Sequence, residues 1–123
     1  MTTDVNISDA ERIVIETLWR NGALTADQVA KELSPQNDWS FATVKTLLGR
    51  LLKKKAISAT TEGRRFIYQA TLSREEYIGS ESKQLIDKLF DGRIAPLVSH
   101  FSQTKGLSKQ DIDELRALLK RLS

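Results

Sequence analysis

The 123-residue chain contains no cysteine and a single histidine, His100. Disulfides and thiol catalysis are thereby excluded, and the usual zinc and copper ligand sets cannot be assembled. No apolar run approaches the length that crosses a bilayer, and the N-terminal "MTTDVNISDAER" lacks the basic-then-apolar order of a signal peptide. A cytoplasmic location is the expectation. Also missing are a nucleophile beside a histidine base, a glycine-rich phosphate loop, and a spaced carboxylate pair outside solvated helix faces. The chain therefore reads as neither an enzyme nor the holder of a cofactor or metal.

What remains is ordinary in bulk and uneven in placement. With 40% hydrophobic and 28% charged residues, there is apolar material for one sizeable core or two very small ones. The formal net charge of +3 hides a cluster: between residues 45 and 65, Lys45, Arg50, Lys53, Lys54, Lys55, Arg64 and Arg65 face only Glu62. That local excess of six leaves the rest of the chain at minus three. Such a basic segment suits a polyanion, because phosphates attract it while the remaining surface discourages indiscriminate sticking. The competing explanation is a solvated lysine-rich helix end that complements the helix dipole.

Local patterning decides between them. "SDAE" at 8–11 has the form of a capping box, and Ile13, Val14, Leu18 and Trp19 follow at helical spacing until "NG" at 21–22. "TADQ" at 25–28 repeats the device before Val29, Ala30 and Leu33, and Pro35 ends that short helix. Ser40 then caps a third helix with a buried stripe of Val44, Leu47, Leu48, Leu51 and Leu52. Beyond the lysines, "AISATT" and "RFIYQA" are β-prone runs around "EGR" at 62–64, which predicts a hairpin.

Three helices and a hairpin make the order of a winged helix, in which the third helix enters the major groove of duplex DNA and the wing flanks it. The basic residues fall on those two elements. With the leucines turned inward, the opposite face of the third helix offers Ala42, Thr43, Thr46, Gly49, Arg50 and Lys53, with Lys45 to one side. Threonine methyls can pack on thymine methyls, and Lys45 or Arg50 can donate to guanine acceptors. Ser40 and the free N–H groups of the first turn suit a phosphate. Lys53 and Lys54 at the far end, with Arg64 and Arg65 on the wing, are placed for backbone phosphates. Two alternatives stand beside these roles: Arg50 could pair with Asp38 or Glu62, and Trp39 is better explained as a core plug than as an intercalator.

"ISDAERIVIETLWRNGALTADQVAKEL" and "DWSFATVKTLLGRLLKKKAI", together with the C-terminal "LSKQDIDELRALLKRL", resemble the penicillinase-repressor family of BlaI/MecI type over essentially the whole chain. The resemblance implies a dimeric repressor on a palindromic operator, usually of TACA half-sites with their TGTA complement, in a β-lactamase or other resistance operon. It also implies a sensor-linked protease that cuts the repressor near an Asn-Phe pair, to which His100-Phe101 corresponds here. Two departures accompany it. Lys55 stands where the family usually has a glycine, so the helix end is either less sharply broken or Lys55 is left-handed. The cysteine cluster of the copper-responsive branch is missing, which argues against metal sensing of that kind.

Residues 1–72 are thus expected to form the winged-helix domain and 73–123 a three-helix dimerisation region, mainly α overall. "SREE" at 73–76 is another capping box, "DG" at 91–92 closes that helix, Pro96 opens a short one, and Ser108 caps the last. Ile78, Leu85, Leu89, Leu97, Phe101, Ile112, Leu115, Leu119 and Leu122 supply the apolar faces. About fifty residues make a meagre independent core, so these helices are expected to interlock with a second copy and not to fold back on the winged helix. The rival to operator binding is a winged-helix module that binds protein or RNA. It would show a third helix poor in base or bearing exposed large apolar residues, and residues 40–55 read as neither.

Overall fold

The architecture is that of a computed structural model describing residues 6–104 and 106–122. It is mainly helical, in the order α1 (Asp9–Asn21), β1 (Leu24–Thr25), α2 (Ala26–Leu33), α3 (Phe41–Lys53), β2 (Ile57–Glu62), β3 (Arg65–Ala70), α4 (Arg74–Phe90), α5 (Ile94–Gln103) and α6 (Lys109–Leu122). Both expected capping boxes of the first helices are formed: Ser8 with Glu11, and Thr25 with Gln28. Each satisfies one orphan helical N–H through the cap side chain and the cap's own N–H through the third residue.

The wing is a three-stranded antiparallel sheet in the order β1-β3-β2. β2 and β3 form the expected hairpin, closed by Glu62 opposite Arg65 with Gly63 at φ +67° in the first turn position. Glycine first is the type II′ arrangement, whose twist matches the flanking strands. The third strand corrects the two-stranded expectation. Leu24 pairs with Tyr68 and Thr25 with Ile67, in a strand of two residues that is too short to show alternation in the sequence.

The winged-helix core takes Val14, Ile15 and Leu18 from α1, Val29 and Leu33 from α2, and Val44, Leu47, Leu48 and Leu51 from α3. Ile7, Ala56, Ile57, Tyr68 and Leu72 close it. Trp19 and Trp39 are half-buried against this core, and the Trp19 indole N–H donates to the Leu72 carbonyl at 2.8 Å. The helix-to-wing junction is sharp because Lys55 takes φ +63°, a left-handed conformation that costs a side-chain-bearing residue roughly 1 kcal/mol.

The chain divides into two compact units, Met1–Ser80 and Glu81–Ser123, so the division falls within α4. In the first unit, Trp19 and Tyr77 stack obliquely with centroids 5.6 Å apart. In the second, no described residue of α5 or α6 is buried, and the same holds throughout α4. Ser108 caps α6 as expected, accepting from the Asp111 N–H at 3.1 Å. α5 begins at Ile94 with Pro96 inside its first turn, where the missing N–H has no partner to lose. No described helix is long and apolar enough to cross a membrane.

Candidate nucleic-acid interface

The third helix exists because its leucine stripe seals the core, and that same registry turns the opposite face outward. Ser40, Ala42, Thr43, Lys45, Thr46, Gly49, Arg50 and Lys53 are all exposed, as are Arg64 and Arg65 on the wing. The structure thus brings nearly all of the expected residues into solvent on two adjoining elements. Among the described residues, Arg50 has no ion pair with Asp38 or Glu62, and Lys45, Lys53, Arg64 and Arg65 also lack a carboxylate partner. Cations left unpaired by their own chain remain available to an external anion.

The hydroxyl groups on this face are already engaged. Ser40 Oγ accepts the Thr43 N–H at 3.1 Å and shares a hydrogen with Thr43 Oγ1, also at 3.1 Å. Thr46 Oγ1 donates to the Ala42 carbonyl at 3.0 Å. With that hydroxyl satisfied by the helix, the methyl is the part of Thr46 left for contact, which fits an apolar partner such as a thymine methyl.

Lys54 is exposed as well, but its ammonium is already paired. Its ammonium donates to Glu11 Oε1 at 2.5 Å and to the Asn6 carbonyl at 2.7 Å. Glu11 is only 2% exposed. Burial alone would raise its carboxyl pKa, but the hydrogen bonds from Lys54 and Ser8 and the nearby ammonium charge outweigh it and hold the group below the usual carboxylate range. Sequence spacing identified Glu11 only as a capping residue, since its partner is 43 positions away.

Phe41 corrects the expectation that the third helix carries no exposed large apolar residue: it is 45% exposed. It continues the Val44 and Leu48 row one turn past the end of the core, where the protein covers it only in part. Lys45, one turn further along, holds its Nζ 5.8 Å from the Phe41 ring centroid. Phe66 on β3 is 56% exposed, a second apolar residue that sequence reading did not single out.

The expected dimerisation residues of α4, α5 and α6 are largely uncovered. Ile78, Leu85, Leu89, Phe101, Ile112, Leu119 and Leu122 are exposed, Leu122 to 82%, while Leu97 and Leu115 are half-buried. Leu97, Val98, Phe101, Leu107, Leu115 and Leu118 line an apolar hollow of about 300 Å³ between α5 and α6. His100 and Phe101 sit within α5, their rings edge to face at 5.8 Å.

Comparison with known proteins follows the same outline. A family model described as penicillinase repressor matches residues 7–121. The penicillinase repressor of Bacillus licheniformis is 34% identical over 92% of this chain and 88% of its own length. The methicillin resistance regulatory protein MecI of Staphylococcus aureus is 32% identical over 94% of each chain. Among solved structures, monomeric Bacillus licheniformis BlaI in complex with the blaP half-operator is 38% identical, with a TM-score of 0.55 over 63% of this chain and 94% of that one.

Proposed function

Since the chain belongs to the penicillinase repressor family, a family of DNA-binding transcriptional repressors and not of enzymes, we propose that it acts as a dimeric, sequence-specific repressor on a palindromic operator of a β-lactam resistance operon. The observation that carries this reading is the set of unpaired cations on α3 and the wing, on a chain that is net acidic elsewhere. Two related sequences point the same way: BlaI was solved on a half-operator, and MecI is a methicillin resistance regulator.

The mechanism is occlusion. Each protomer lays α3 in a major groove, where Thr43, Thr46, Lys45 and Arg50 meet base edges. Ser40, Lys53, Arg64 and Arg65 fix register through phosphates and carry no sequence information. Lys54, exposed but paired with Glu11, holds the end of this helix in place and leaves the phosphates to Lys53. The uncovered apolar faces of α4, α5 and α6 pair residues 73–123 with the same region of a second chain, which supplies the two-fold axis a palindrome requires. Bound across a promoter, such a dimer excludes polymerase.

Release by a sensor-linked protease, as the family resemblance implies, places the cut at His100-Phe101. Because that bond lies within α5, cleavage requires the helix to open locally. An intact chain in cells that have been induced and derepressed refutes this route.

Fluorescence-anisotropy titration of a TACA/TGTA palindrome against a scrambled duplex tests the central reading. The expected specificity ratio is at least about a thousand, with two chains per palindrome. Equal, weak, salt-sensitive binding to both duplexes refutes operator recognition at this sequence.

A further inference from the structure

Two core faces of the winged helix run on past the protein that should cover them. On β3, alternation puts Phe66 on the same face as Tyr68, which is buried, whereas Phe66 is 56% exposed. On α3, Phe41 extends the row of Val44 and Leu48 and is 45% exposed. The two rings border one cleft of about 170 Å³, whose walls also carry Lys45, Arg64 and Arg65 against a single carboxylate, Asp27.

The occupant of such a cleft must present both apolar and anionic groups. A single strand of a DNA duplex has that character, because deoxyribose carbons alternate with phosphates. Continuity supports the same choice, since Lys45 belongs both to the cleft and to the outward face of α3. We propose that this cleft seats one backbone strand bordering the major groove, with Phe41 and Phe66 packed on its deoxyribose rings and Lys45, Arg64 and Arg65 on the phosphates to either side. Phe41 and Phe66 are then positioning residues that lock the wing and α3 onto one strand. This inference rests on the operator-binding reading above.

The test uses the full chain with F41A, F66A, their double variant, and the conservative F41L and F66L, titrated with palindromic and scrambled duplexes over a range of salt. Each alanine is expected to weaken binding to both duplexes by about tenfold, as loss of a buried aromatic contact should. The slope of log affinity against log salt stays unchanged, because no phosphate contact is removed. R64A and R65A instead reduce that slope, by about one each. Leucine at either position restores most of the affinity.

Double-alanine affinity within about twofold of wild type, beside a specific wild-type complex, overturns the clamp and leaves the repressor reading standing. A wild-type chain that fails to discriminate the palindrome removes both. Unchanged DNA affinity with an altered monomer–dimer equilibrium assigns the cleft to a second copy, which also overturns the proposal. Thermal melts accompany every variant. If the alanine variants melt early, the leucine pair carries the test, and a leucine variant with a changed salt slope contradicts apolar packing.

Discussion

Lys54 Nζ lies 2.5 Å from Glu11 Oε1, joining the end of α3 to the first turn of α1. The same carboxylate oxygen accepts the Ser8 N–H at 2.9 Å, so one buried group completes a helix cap and anchors α3. A carboxylate 2% exposed is expensive unless it is both paired and hydrogen-bonded, and here it is both. α3 is thus braced at its C-terminal end by Lys54, whose neighbours Lys53 and Lys55 are exposed.

Adjacent lysines should therefore behave differently. Lys54→Met strands the Glu11 carboxylate and is expected to cost about 1–2 kcal/mol of stability in denaturant titration, less than a fully buried pair because the ammonium is partly solvated. Lys53→Met is expected to leave the melt unchanged while lowering affinity for every duplex and reducing the salt slope by about one. Equal effects of both substitutions on stability would show that the brace contributes nothing.

Acid should weaken the same brace. Because the folded Glu11 pKa lies below its unfolded value, roughly 4.3, the pair contributes stability above that value. The contribution declines as pH falls below it and is gone once pH has passed through the depressed folded pKa. Glu11→Gln is expected to lower the melting temperature at pH 7 and to flatten the acid limb of a melting-temperature profile below the ordinary carboxylate pKa. Parallel wild-type and variant profiles across that window would contradict the assignment.

Gly49 sets stability against binding. It lies in the interior of α3, is exposed, and a Cβ added there would meet nothing within 4 Å. Gly49→Ala should therefore stabilise the free protein by about 0.5–1 kcal/mol through helix propensity. On DNA the added methyl occupies space between helix and base edges, so operator affinity is expected to fall. A variant that is both more stable and fully active would mean that this part of α3 does not approach bases closely.

The apolar faces of the second unit make a prediction about assembly. Leu119 is 65% exposed. Leu119→Asp is expected to raise the dimer dissociation constant on the order of a hundredfold, since two-fold symmetry repeats the loss of one buried leucine. Sedimentation velocity reads the monomer, and anisotropy on a single half-site should remain near wild type. Unaltered dimerisation would place the contact elsewhere on these helices.

Local patterns carried far in this chain. Capping boxes at Ser8 and Thr25, the Ser40 cap, the leucine period of α3 and the glycine of the hairpin each depend on residues within a few positions of one another. So does the outward face of Thr43, Thr46, Arg50 and Lys53, because facing inward or outward on a helix follows from spacing alone. The left-handed turn at Lys55 is one of the two outcomes that the family resemblance left open, since the family usually has a glycine there.

By itself, then, the sequence determined the helices, the hairpin and the polar outward face of α3, for these are short-range consequences of backbone geometry and hydrophobic period. Tertiary structure alone decided three matters: that Leu24–Thr25 adds a strand to the wing, that Lys54 pairs with Glu11, and that Phe41 and Phe66 stand half-exposed along one cleft. Each depends on which distant segments become neighbours. Periodicity reports which side of an element seeks cover, whereas only the packed chain shows where the cover ends.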